Sequence, residues 1–320
     1  MRGRFKLLHE SPAVQFTHTF ELQADVVAVS FDRSGRFLLA SAKDARVYSW
    51  EVESGRLCNQ IQADQVFTSM ASKPGQLALG SSRWPGQLWS IDDDGKLSDR
   101  GIRFSPSKRL CSFSFGPGPD LISSCCQAEG VELWSIDTGF HQGFLPAPGR
   151  VHRVAASWTC DRLACSLTTG NKVWMGNQSG LTSSLQPQFQ AKGLLSSLAS
   201  LNTVERLEWA HDGSTLGVCT DQSLVILGAD GAQQTTLQFS SFLGGSILAL
   251  DFSANLERFV RCAQLEAAVF EVPGQVQLAK LEPHLRKPGG YYHSAGGALS
   301  PDGKLFAHQV GPSLRLYSIP

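Results

Sequence analysis

The sequence lacks any long apolar run. No stretch approaches the roughly 18–20 residues that a helix needs to span a bilayer, so helical membrane insertion is not expected. Charge is scarce and balanced: 18% of residues are charged, and 28 basic residues cancel 28 acidic ones. Without a net field, neither nucleic acid nor an anionic membrane is an expected partner. The opening segment MRGRFKLLHESPAVQF has charge but no apolar core and no small-residue cleavage site, so no secretory leader is expected. Paired C-x-x-C spacing of the zinc or redox type is missing. So are the G-x-S-x-G elbow, the phosphate-binding G-x-x-x-x-G-K-[ST] loop and the H-E-x-x-H zinc motif. No two of the eight histidines stand at i and i+4. From these absences we expect no cofactor, no metal and no catalytic role. A propeller-type enzyme, with acids and histidines brought to a central axis from distant segments, is the alternative that spacing alone cannot show.

The eight cysteines, Cys58, Cys111, Cys125, Cys126, Cys160, Cys165, Cys219 and Cys262, fall mostly in apolar strand-like stretches such as LGVCTD and RLACSL. They read as small buried hydrophobes of a reducing, intracellular compartment, with the cytoplasm the default and the nucleus an alternative. The sequon Asn177-Gln178-Ser179 reads as a chance match in that setting. Asp92-Asp93-Asp94 reads as a capped, solvated turn, since no calcium-loop ligand series follows it.

What the chain has is a repeat. Trp50, Trp89, Trp134 and Trp174 each close a short apolar strand and precede a polar turn. Leu227, Phe270 and Tyr317 continue the series, at gaps of 39, 45, 40, 53, 43 and 47 residues. A period of about 40–45 residues with four strands per unit marks propeller blades. The first repeat shows the template: strands at Val26 to Asp32, Phe37 to Ala42, Arg46 to Val52 and Arg56 to Gln62, parted by turns with Gly35 and Gly55. The first turn recurs as Ser72-Lys73-Pro74-Gly75, His211-Asp212-Gly213 and Ser300-Pro301-Asp302-Gly303, and decays to Ser253-Ala254-Asn255-Leu256.

The stretches VSFDRSGRFLLASAKDARVYSWEVESG and SPDGKLFAHQVGPSLRLYSI resemble the WD-repeat family, in its divergent branch. The likeness covers residues 14 to 320. The family's Gly-His and Trp-Asp pairs are absent, so its hydrogen-bonded His/Asp/Ser/Trp network is not expected to be complete, and the blades should lean on apolar packing. The resemblance implies an all-β fold: a seven-bladed β-propeller of four-stranded antiparallel blades, one domain over residues 14–320, with residues 1–13 as an N-terminal extension. The final repeat supplies only three strands, near Gly297 to Ser300, Leu305 to Val310 and Leu314 to Ile319. In WD-repeat propellers an N-terminal strand completes the last blade. Val14 to Leu22 is therefore expected to seal the ring and cover bare sheet edges.

The resemblance further implies protein or peptide partners, often within a larger complex. Connections from an outer strand to the next inner strand share one face of the disc with the turns between second and third strands. On that face the sequence sets Arg83, Trp84, His152, Arg153, Arg286, Lys287, Tyr291 and Tyr292, with Lys43 and Arg46 near another tip. Aromatic and arginine side chains are common interface anchors. Arginine also suits an acidic or phosphorylated peptide. The competing reading packs Trp84 and Tyr291 beneath their own loops and leaves the charges to solvent. Leu194, Leu195, Leu198 and Leu201 have helical spacing in the insertion at 190–203. That insertion either covers the rim or offers a docking ridge.

Overall fold

The computed structural model describes residues 14–81, 85–105, 110, 112–118, 120–125, 129–168, 172–185, 203–220, 223–238, 247–263, 266–274, 276–281, 296–310 and 312–319. Residues 1–13 and, except for Thr203, the insertion at 190–203 lie outside them. Seven antiparallel sheets of four strands stand in a ring.

From inside outward, the first blade holds Val26–Phe31, Phe37–Ala42, Arg46–Glu51 and Leu57–Gln62, within a residue of the expected bounds. The second holds Ser69–Lys73, Gln76–Gly80, Gly86–Ile91 and Leu97–Phe104. The third holds Ser112–Phe115, Leu121–Cys125, Gly130–Ser135 and His141–Pro146. The fourth holds Val151–Ser157, Arg162–Leu167, Val173–Asn177 and Gly180–Leu185. The fifth holds Arg206–Trp209, Thr215–Cys219, Ser223–Gly228 and Gln233–Gln238. The sixth holds Ile247–Phe252, Arg258–Ala263, Glu266–Glu271 and Val276–Leu281. The seventh combines Gly297–Leu299, Leu305–Val310 and Ser313–Ser318 with Gln15–Glu21 from the other end of the chain.

That last pairing is antiparallel and runs from Gln15 opposite Ser318 to Glu21 opposite Ser313. Each inner strand touches the inner strands on both sides, so the circle is complete. Among the described residues, one apolar cluster fills each of the seven gaps between blades. Leu38, Leu39, Leu77, Leu79, Phe67, Phe104, Phe259 and Phe306 are wholly buried there. Each such side chain contributes roughly 1.5–3 kcal/mol of transfer free energy. Repetition of small sheet-on-sheet contacts thus replaces a single large core.

Short polar side chains hold the hairpins. Asp32 accepts from the backbone N–H of Ser34 at 2.9 Å and of Phe37 at 2.6 Å. Ser253 and Ser300 serve the same place through N–H bonds from Arg258 and Leu305. Gly35, Gly213 and Gly303 take positive φ in these turns. In the decayed turn Leu256 takes φ 58° itself and buries its side chain between the fifth and sixth blades. The expected capping at Asp92 is present, through N–H bonds from Asp94 and Lys96.

Two buried indole N–H groups are bonded within their own blades. Trp134 Nε1 donates to Ser124 Oγ at 2.9 Å. Trp89 Nε1 donates to Gln87 Oε1 at 3.0 Å, and Gln87 donates to Asp64 at 2.8 Å. Cys165, Cys219 and Cys262 are buried as expected, whereas Cys58 and Cys160 are only partly so.

One assignment needs correction. In six blades the closing residue lies opposite the second residue of the neighbouring strand: Trp50 opposite Leu38, Trp89 opposite Leu77, Trp134 opposite Ile122, Leu227 opposite Leu216, Phe270 opposite Phe259 and Tyr317 opposite Phe306. In the fourth blade that place belongs to Gly176, opposite Leu163, and not to Trp174. The register to the outer strand breaks there, between Met175 and Gly176, as it breaks beside the closing residue elsewhere. A Cβ on Gly176 would run into the Gly180 backbone, so no aromatic side chain fits. Trp174 sits opposite Cys165, at the place that Tyr48 holds in the first blade.

Candidate functional site

The seven inner strands surround a cavity of about 440 Å³ on the ring axis. Their inner edges carry no further strand and leave backbone groups toward it. In the first three blades the lining residues on the inner strands are uncharged, as with Ala28, Ser30, Met70, Ala71, Phe113 and Ser114. In the fourth to sixth the lining includes charged residues: Arg153, Glu205, Arg206, Glu208 and Asp251.

These groups form two linked sets. Arg206 Nη2 lies 3.1 Å from Glu208 and 3.2 Å from Asp251, joining the fifth blade to the sixth. Asp251 also accepts the Leu299 N–H of the seventh blade at 2.9 Å. Arg153 Nε donates to the Glu205 carbonyl at 2.8 Å, and its Nη2 to the Glu205 carboxylate at 3.3 Å. Thr203 donates to the other carboxylate oxygen at 2.8 Å.

Such links occur at every junction near the hub. Ser72 donates to the Phe31 carbonyl, Lys73 lies over the Phe115 ring, and Ser112 and Ser114 bond the inner strand of the fourth blade. Gln309 donates to the Val26 carbonyl. The charged pairs therefore stitch blades together as well as lining the axis.

Enclosure shifts their protonation. Burial pushes the Asp251 carboxyl up to about 6, although Arg206 and the Leu299 N–H pull it down. Its side chain keeps 22% of its surface toward the channel, but the ring surrounds it with protein on all sides. Burial also lowers His152, and Arg153 beside it adds to that, against the pull of Glu205. A carboxyl that titrates near 6 beside a fixed cation can exchange a proton close to neutral pH.

Of the surface residues expected from sequence, Arg153 lines the channel and His152 precedes it in the same inner strand, on the face where outer strands lead into inner ones. His152 is half-buried and Arg153 is turned onto Glu205. Arg83, Trp84, Arg286, Lys287, Tyr291 and Tyr292 lie outside the described residues. Lys43 and Arg46 are in ion pairs with Asp25 and Asp44. The Arg206–Glu208–Asp251 set went unseen in the sequence. Its one signal was charge at inner-strand positions where the first blade has Ala28 and Ser30. Among the described residues, no group of three His, Cys, Asp or Glu is placed to hold a metal ion, and no helix is long and apolar enough to cross a membrane. Neither a protein-family model nor a curated protein matches the chain.

Proposed function

We propose that this propeller is a non-catalytic interaction platform of the divergent WD-repeat kind, acting inside the cell as a subunit or adaptor of a larger complex. The observation that carries this reading is the inequality of the two faces. Turns between first and second strands span at most five residues, from 32–36 to 300–304. The connections at 186–205 and 282–296 are much longer, and both join an outer strand to the next inner strand. Long loops on a rigid scaffold are where binding residues concentrate. Arg83, Trp84, His152, Arg153, Arg286, Lys287, Tyr291 and Tyr292 belong to that side of the chain's topology. Their chemistry suits an acidic or phosphorylated peptide, with aromatic anchors and arginine forks on carboxylate or phosphate. The WD-repeat likeness draws support from the register break that recurs at the closing residue and from the Trp134–Ser124 bond.

Affinity purification with quantitative mass spectrometry tests the surface. Trp84→Ala combined with Arg286→Ala should deplete partners that the unaltered chain retains. Recovery of every partner at the unaltered level would overturn the surface assignment.

A second reading draws on one specific observation, the convergence of Arg206, Glu208 and Asp251 on the axis. A hydrolase or lactonase type of enzyme would use Asp251 as its proton carrier there. Turnover of ester or lactone substrates that vanishes in Asp251→Asn would favour it. The platform reading is preferred because these charges already serve as ties between blades.

A further inference from the structure

Arg33 and His211 meet where two residues of the chain have least reason to. Arg33 stands in the first turn of the first blade, and His211 in the first turn of the fifth. In a ring of seven, three steps is the greatest separation two blades can have, and these two are three steps apart by way of the sixth and seventh. Yet Arg33 Nη2 lies 3.3 Å from His211 Nδ1. A contact between blades so placed has to cross the axis. Both residues line the end of the central cavity, with Trp158 and Pro301 beside them.

The turns on this face are locked around His211. Its N–H donates to the Ala254 carbonyl at 2.6 Å, and the Ala254 N–H donates to Pro301 at 2.7 Å. Thr159 Oγ1 donates to the His211 carbonyl. The Trp158 ring lies 4.9 Å from the imidazole. His211 is thus fixed to the fourth and sixth blades, and only through Ala254 to the seventh, while Arg33 approaches as a single long side chain from the far wall.

Arginine has donors only and stays protonated, so for Arg33 to donate here Nδ1 has to be the unprotonated acceptor of a neutral His211. We propose that the Arg33–His211 bridge is a latch that closes this mouth of the channel at neutral pH and opens when the histidine takes a proton. Protonation removes the acceptor and sets two cations face to face. The charged groups acting on the imidazole are Arg33, which opposes its protonation, and Asp212 of its own turn, which favours it. Burial and Arg33 together hold His211 below its ordinary range, so the latch is closed at neutrality. Access to the Arg206–Glu208–Asp251 set through this mouth is then barred at that pH. The latch does not depend on the partner-binding reading, and its test involves no partner.

The test is thiol accessibility in the full chain. Ser72 lines the cavity near this end. A Ser72→Cys variant is treated with a maleimide, the rate at the introduced thiol is read by peptide mass spectrometry, and it is divided by that of free cysteine in the same buffer. The normalised rate should rise several-fold from pH 7.5 to pH 5. It should already be high at pH 7.5 with Arg33→Ala added. It should stay low at both pH values with His211→Gln, which keeps an acceptor but cannot titrate. An unchanged rate with Arg33→Ala, or an equal acid response with His211→Gln, overturns the latch. Proton NMR of the His211 ring in the otherwise unaltered chain gives a second check: its pKa should rise in Arg33→Ala, and no rise overturns the contact.

Discussion

Phe20 and Trp50 face each other across the junction that joins the chain's two ends, with ring centroids 5.3 Å apart. Phe20 belongs to the strand from the N-terminal end, lies opposite Leu314 and is 2% exposed. Trp50 closes the first blade. Sealing the ring therefore depends on an aromatic contact between the seventh blade and the first. Phe20→Ala should destabilise the protein by about 3–5 kcal/mol, the usual range for a buried Phe cut to Ala. Urea unfolding measures this, and a loss below about 1 kcal/mol would show that the junction is held by other contacts.

The Trp89 indole relies on Gln87, which in turn holds Asp64. Gln87→Leu leaves the buried N–H unsatisfied and should cost about 1–3 kcal/mol. Ser124→Ala should cost a similar amount at Trp134 in the next blade. The two pairs share no partner, so the losses should add within about 0.5 kcal/mol in the double variant. Strong non-additivity in thermal or urea unfolding would mean that the blades do not act as separate hydrogen-bonding units.

Asp251 gives the protein a pH response of defined sign. Its folded pKa of about 6 lies above the ordinary 3.8. The folded state therefore holds this proton more tightly than the unfolded chain, and Asp251 adds stability as pH falls through 6 toward 4. The stability of the unaltered protein minus that of Asp251→Asn should grow on acidification, by up to about 3 kcal/mol. His152 and His211 act in the opposite direction. Their lowered pKa values contribute stability above pH 6.5 that is lost as pH falls, equally in both proteins. Unfolding curves at pH 8, 6 and 4 separate these contributions. A difference between the two proteins that does not change with pH would refute the raised carboxyl.

Gly213 takes φ +68° and has no room for a side chain, because a Cβ there would strike the Cys160 sulfur of the fourth blade. Gly213→Ala should lower the melting temperature through both backbone strain and the clash. Adding Cys160→Ala removes only the clash and should recover part of the loss. Full recovery would show that the backbone conformation costs nothing here.

The architecture was legible because each blade repeats its own turn chemistry and strand alternation. The three-stranded ending at Tyr317 implied the strand supplied by Phe20 and its neighbours. Gly176 was not legible: matching repeats by their aromatics selects Trp174, whereas the register between third and outer strands is what decides the place. The hub was hidden for a different reason. Arg206 and Asp251 are separated by an entire blade in sequence, and Arg33 and His211 by most of the ring, so only closure brings them together. Arg153 was legible as a rim residue, but its attachment to Glu205 depends on how two neighbouring inner strands abut.

The side-by-side placement of Gln15 and Ser318 means that the two ends of the propeller are already neighbours. A short peptide could bridge them, and the chain could be cut instead at the exposed residues of a hairpin such as Asp92–Asp94. The permuted polypeptide would list its blades in a different order and still trace the same disc. Which blade is assembled from two distant segments then becomes a matter of choice, and that split could be moved around the circle as a direct probe of how much each seam contributes.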